Sequence, residues 1–203
     1  MDPITQGVFG AIFAQTMSNK KKILAGSIVG CFAGLAPDLD IFIRSASDPL
    51  LKLEYHRQFT HSLVFIPIGA LIVTFFSRIF FKKYLSWGET YFFSLLGFAT
   101  HGLLDACTSY GTQLLWPFSS ERISWNYISV VDPFLTIPVI LAIIFAIICS
   151  LILSENGSSW TPGILLSSLV IVLMYFKKDV YPNDVLDYFK ISTVVILLGT
   201  IYY

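Results

Sequence analysis

Two uncharged stretches constrain this chain more than any other feature. Pro133 to Ser154 and Asn156 to Phe176 carry no acidic or basic residue, and each reaches the about 20 residues a helix needs to cross a bilayer core. The rest of the chain agrees with them. Of its 203 residues, 55% are hydrophobic and 13% charged, where a soluble domain carries about 25% charged residues. Mean hydropathy is +0.73. Too few charges remain for a water-facing surface, so the expectation is an all-α fold. It is a polytopic integral membrane helical bundle whose polar connectors form an interfacial site.

Apolar segments fall at about 4–17, 23–36, 61–81, 91–107, 134–153, 161–176 and 188–203. The first two are short for a span. Small residues recur at helical intervals in them, at Gly7, Gly10 and Ala11, then Gly26, Gly30 and Gly34, as helices in close contact require. Polar connectors at 37–60, 108–133 and 177–187 interrupt the pattern. No repeat or linker divides the chain, so 1–203 reads as one helical membrane domain. Its motif-bearing region is 1–135, and residues 134–203 form generic membrane helices. The start, MDPITQG, lacks the basic region of a secretory signal, and the first segment is expected to remain. Cys31, Cys107 and Cys149 lie in apolar segments and suggest small buried hydrophobes rather than a disulfide framework.

Net charge is zero, which gives no footprint for nucleic acid. Lysines gather at segment ends, as Lys20 to Lys22, Lys82-Lys83 and Lys177-Lys178. With Arg78, the first two groups mark one side as cytoplasmic under the positive-inside rule and place the first two connectors outside. Arg44, Lys52, Arg57, Arg122 and the third lysine pair oppose that bias, leaving a weak lean toward an extracytoplasmic site.

Against this apolar background stand three histidines, each near aspartates. Lipid-embedded chains keep ionisable groups where they have partners, line a cavity or bind something. His101 and Asp105 are four apart on an expected helix and share a face; they suit a metal or a hydrogen-bonded packing pair. Asp38 and Asp40 follow Pro37, which ends the preceding helix, and offer two carboxylates to one cation or serve as a solvated cap. His56 and His61 bracket Arg57 and Thr60, with Thr60 placed to cap the next helix and His61 in its first turn. Arg57 suits a phosphate or developing negative charge, or else a lipid headgroup. Asp132 before Pro133 reads as a helix cap. If 23–36, 61–81, 91–107 and 134–153 all cross, the first two connectors and the His101 end of its helix share one side.

Taken in order, MDPITQG (1–7), APDLD (36–40), HRQFTHS (56–62), HGLLDACTSYGTQLLWPFS (101–119) and VVDP (130–133) resemble the YdjM-like family of membrane-bound, metal-dependent hydrolases of bacterial inner membranes. The resemblance covers about the first two-thirds of the chain. It implies that Asp38, Asp40, His56, His61, His101 and Asp105 belong to a divalent-metal centre, and it places Arg57 and Asp132 in family motifs. Many members carry a histidine where this chain has Gln6, which removes one potential ligand.

The function expected is metal-assisted hydrolysis, with Zn²⁺ (or Mn or Fe) activating water. Asp40, Arg57 and Asp105 are the candidate catalytic residues. An aspartate left off the metal would be general base, and Arg57 would hold an anionic substrate oxygen. A site at the interface suggests membrane lipid as partner and a lipid or phosphoester as substrate. The alternatives are a cation or proton transporter, since His and Asp also form relays, and a membrane protein with a structural metal site.

Overall fold

The computed structural model describes residues 1–144 apart from Arg44, Ala46, Pro49, Asp132, Phe134, Leu135, Pro138, Val139 and Ala142. The chain divides into two compact units, Met1–Asp132 and Pro133–Tyr203, and the architecture below is that of the first. The expected segments at 161–176 and 188–203, most of 134–153, and the cap at Asp132 lie outside the described residues.

Among the described residues this unit has five α-helices: α1 Pro3–Thr16, α2 Ile23–Leu35, α3 Leu51–Tyr55, α4 Ile66–Phe81 and α5 Trp87–Ala106. Among the described residues there is no strand, only isolated bridges joining Thr108 to Ile128 and Thr112 to Ile123. The start of α1 is written in the sequence as Asp-Pro. The Asp2 carboxylate accepts from the Thr5 amide at 2.9 Å and from the Thr5 hydroxyl at 2.6 Å, while Pro3 occupies a position whose amide would go unused. Ser86 and Glu89 form a reciprocal capping box for α5. At the other end of α2, Pro37 does not break the chain direction. The helix tightens into a 3-10 turn over Ala36–Phe42. That continuation gives Ile23–Phe42, which among the described residues is the one helical run long and apolar enough to cross a membrane. Helix α4 is apolar but shorter.

The packing inverts the pattern of a water-soluble domain. Along α4, Leu71, Ile72, Phe75, Phe76, Ile79 and Phe80 face outward, with Phe80 74% exposed. Thr74, Ser77, Ser27, Thr90 and Ser94 are buried. In water so much exposed apolar surface would drive association. Against lipid tails it is the expected exterior, and small residues at the contacts let the helices close up. Gly30 shows how close: a Cβ there would strike the Gly10 carbonyl and the Ala14 methyl. Helices α1, α2 and α5 meet at this point.

The two ends of the bundle differ. Helices α2, α4 and α5 bring Lys22, Arg78 and Glu89 to one end, where Lys22 Nζ lies 2.5 Å from Glu89, Arg78 donates to the Leu85 carbonyl and its guanidinium sits 5.3 Å from the Trp87 ring centre. The buried aspartates and histidines collect at the other, about 24 Å away along α5.

Two outcomes are expected from this packing. Replacing Gly30 with leucine should overpack the three-helix contact and lower stability by about 1–3 kcal/mol, read as a lower thermal midpoint in detergent. Lys22, with the Ser86 donors, holds the Glu89 carboxyl down at about 2. A lowered carboxylate pKa stabilises the fold above its unfolded value and is lost as pH falls through the folded one. The stability gap between wild type and Glu89→Gln should therefore be constant above about pH 5 and close as pH approaches about 2.

Candidate metal centre

His101 lies in the last turns of α5, four residues before Asp105, and both are fully buried. Its Nδ1 is 2.6 Å from the Gly34 carbonyl near the end of α2. A carbonyl only accepts, so Nδ1 carries the proton and Nε2 keeps its lone pair. His61 is presented from the other side by a 3-10 turn, Phe59–His61. Thr60 is therefore no helix cap, and His61 precedes α4 by several residues. Instead the Thr60 hydroxyl donates to Asp40 at 3.0 Å and lies 2.9 Å from His61 Nδ1. With its hydrogen given to Asp40, Thr60 can only accept from His61, so that ring also keeps its lone pair on Nε2. The two Nε2 atoms face each other at 2.9 Å. Two neutral rings in this pose oppose their lone pairs, and a proton or a cation between them is needed.

Two carboxylates close the same space. Asp38 Oδ1 is 3.5 Å from His61 Nε2 and 3.2 Å from His101 Nε2; Asp105 Oδ2 is 3.2 Å and 3.6 Å from the same two atoms. All four donor atoms fall within 4.8 Å of one another. A tetrahedral ion with bonds of about 2.0–2.1 Å spaces its ligands about 3.3–3.4 Å apart, and an octahedral one about 3.0 Å apart. The spacings from the two imidazoles to each other and to the carboxylates, 2.9–3.6 Å, bracket both values. Asp105 Oδ2 is buried and accepts no hydrogen bond, although Arg57 Nε lies 3.1 Å away as an ion-pair partner, and a metal would give this oxygen a direct ligand bond. The donor set fits a divalent cation.

Asp40 and His56, also expected as ligands, form an adjoining group with Asp38. There both Asp40 oxygens already accept hydrogen bonds. Oδ1 lies 2.8 Å from His56 Nδ1, and Oδ2 takes the Arg57 amide and the Thr60 hydroxyl, each at 3.0 Å. Asp40 Oδ2 is also 3.4 Å from His61 Nδ1. Asp40 thus orients His61 from behind, as carboxylates behind metal-binding imidazoles do. His56 is 23% exposed and lies at the rim.

Arg57 is the most constrained residue of the site. Its φ is +61°, a conformation that costs a non-glycine residue about 1–3 kcal/mol. Three backbone contacts hold it there: its amide to Asp40, and its carbonyl accepting from the Gln113 amide at 3.1 Å and the Thr112 hydroxyl at 3.2 Å. Its side chain runs inward, with Nε 3.1 Å from Asp105 Oδ2 and Nη1 donating to Thr108 at 3.1 Å. The Tyr110 ring packs against two guanidinium groups, 4.9 Å from that of Arg57 and 5.0 Å from that of Arg122. Arg122 in turn donates to the His56 carbonyl. The first two connectors and the end of α5 therefore do meet.

In the sequence Gln6 stands out only as a missing ligand, and nothing in their spacing marks Tyr110 or Thr108. Gln6 is buried and donates to Asp105 Oδ1 at 2.9 Å, while the Met1 amine contacts the same oxygen. The signal for Tyr110 and Thr108 was their place in the stretch that follows Asp105.

Against this geometry the relatives can be read. The family model described as YdjM inner membrane protein matches residues 1–180. The chain belongs to the YdjM inner membrane protein family. It is 29% identical over 139 residues to the uncharacterized protein YfhP of Bacillus subtilis (strain 168), covering 68% of this chain and 39% of that one. It is 32% identical over 105 residues to the inner membrane protein YbcI of Escherichia coli (strain K12), covering 50% of this chain and 60% of that one. The matches thus span 39% and 60% of these relatives' own lengths, less than two-thirds of each. No solved structure matches the chain. The family description and the name of YbcI both describe inner membrane proteins.

The ligand geometry gives a graded expectation for metal content. His61→Ala and His101→Ala should each abolish stoichiometric metal in purified protein. Asp40→Asn, which leaves all four donors in place, should weaken affinity by about 10–100-fold. Gly102 packs against the His61 carbonyl so closely that a Cβ would strike it, so Gly102→Ala should also lower metal affinity, measured by competition with a chelator.

Proposed function

We propose that this protein is a membrane-bound metal-dependent hydrolase acting on a phosphoester of a membrane lipid. The observation that carries the proposal is the convergence of His61 Nε2, His101 Nε2, Asp38 Oδ1 and Asp105 Oδ2 on one buried point. A divalent ion held by these four residues would polarise a phosphoryl oxygen and bring the pKa of a coordinated water toward about 7.

The chain's own residues divide the remaining work. Asp38 is the least enclosed of the four, with 20% of its side chain exposed, and a substrate would reach the centre along its edge. Arg122, partly exposed beside Tyr110, would offer its guanidinium to phosphate oxygens at the rim, and the buried Arg57, next to Asp105, would stabilise negative charge that develops at the centre. His56, fixed through Nδ1 by Asp40, has the arrangement of an imidazole base oriented by a carboxylate. Asp40 would then act through His56 and His61 as a positioning residue. On this reading the helices with apolar exteriors form a polytopic bundle, and Lys22, Arg78, Lys82 and Lys83 at the other end weakly favour an extracytoplasmic centre, against the opposing Arg57 and Arg122 at the centre itself.

A second reading has an observation of its own. Four protein donors can close a structural site, whereas catalytic sites keep a position open. Turnover separates the two. Full-length protein loaded with Zn²⁺ or Mn²⁺ in phospholipid vesicles should release a soluble phosphorylated or dephosphorylated product. His101→Ala should lose both metal and turnover. Arg57→Ala, which loosens Asp105, should lower metal affinity but still load at saturating metal, where its rate should fall about a hundredfold to a thousandfold. Stoichiometric metal without turnover of any lipid phosphoester would favour the structural reading.

A further inference from the structure

We infer that a groove between α2 and α4 holds one acyl chain of a membrane phospholipid whose headgroup lies at the metal centre. The inference rests on the lipid-directed reading of that centre and specifies its substrate. The groove has a volume of about 650 Å³, within the range of about 300–1,000 Å³ that ligand sites occupy. From α4 it is lined by Ile72, Phe76 and Phe80, which share one helical face. Facing them are Leu35, Pro37 and Leu39 of α2 and the turn that follows it.

Its polar end is the wall of the metal centre. Pro37 and Leu39 flank Asp38, and Thr60, which also lines the groove, is the residue bonded to Asp40 and facing His61. From there the groove runs along α4 as far as Phe80. Between Phe65 and Phe80 the helix rises about 22 Å, more than the about 15 Å depth of one leaflet of a 30 Å hydrocarbon core. A chain lying in it would run beside Ile23–Phe42, the run long enough to cross a membrane, in the direction acyl chains take in a bilayer. A peptide is a poor occupant. Thr60 and Ser77 are the polar side chains lining the groove, so backbone groups of a peptide would be buried without partners. Acyl chains need none, and a bilayer presents them at the highest concentration of any apolar ligand.

The test is photolabelling of the full-length, metal-loaded protein in vesicles of phosphatidylethanolamine and phosphatidylglycerol. The probe is phosphatidylglycerol with a diazirine in its acyl chain, and labelled sites are mapped by mass spectrometry. Helix α4 carries its own control, because Leu71 and Phe75 are exposed like Ile72 and Phe76 but do not line the groove. Label should concentrate severalfold on Ile72, Phe76 and Leu35 over Leu71 and Phe75. Ile72→Trp, filling the groove from its open edge, should remove that enrichment, and Leu71→Trp should not. Equal labelling of the two faces would overturn the proposal. So would enrichment seen only with a polyprenyl phosphate probe, or a groove that excludes both probes because another part of the chain fills it. Metal content of each sample is read in parallel. Enrichment in protein that binds no metal would uphold the chain site and remove the hydrolase reading; bound metal with uniform labelling would overturn the chain site and leave the hydrolase reading to the turnover assay.

Discussion

Two imidazole nitrogens facing each other at 2.9 Å, with carboxylate oxygens on either side, form the constraint around which the rest of this unit is arranged. In a poorly solvated interior such a cluster is unfavourable unless something positive sits within it. Every neighbouring element contributes to holding it: Gly34 and Thr60 fix the ring tautomers, Asp40 fixes the turn, and Arg57 and Gln6 hold Asp105. The arrangement is one of preorganisation, in which the donors are placed before any ligand arrives.

Helix packing sets how close these groups come. Asp38 leaves the end of α2, His101 and Asp105 the end of α5, and α2 and α5 run in the same direction from Lys22 and Glu89. Their approach at Gly30, where Gly97 packs against its carbonyl, determines whether the His101 ring reaches Gly34. Contacts in the apolar middle of the bundle are therefore transmitted to the metal end, and a stripe of small residues has a role in positioning as well as in packing.

Much of this was legible in the sequence, for physical reasons. Apolar runs placed α1, α2 and α5 within about four residues of their observed bounds and α4 with its start five residues early, and the i, i+4 relation placed His101 and Asp105 on one face. Other features were not legible because they depend on tertiary contacts. The spacing of HRQFTHS suggested a capped helix, yet the segment folds as a 3-10 turn with Arg57 at positive φ. Three partners from other parts of the chain over-determine that conformation. The division between Asp38 at the cluster and Asp40 behind it also escaped the sequence, since both lie in one short turn. Their roles separate only when Thr60 and His56 arrive from 16 to 20 residues away.

The hydrogen bond from His101 to Gly34 has a consequence for how this site can change. Its acceptor is a main-chain carbonyl near the end of α2, one of the last-turn carbonyls that a helix leaves without internal partners. No substitution at residue 34 deletes that oxygen, so the choice of which imidazole nitrogen faces the cluster is written in the course of the backbone rather than in a side chain. Substitution can abolish it only by shifting the helix. The chemistry of His101 is in this sense inherited with the fold, and variants that keep the α2–α5 approach keep the ring's proton where it is.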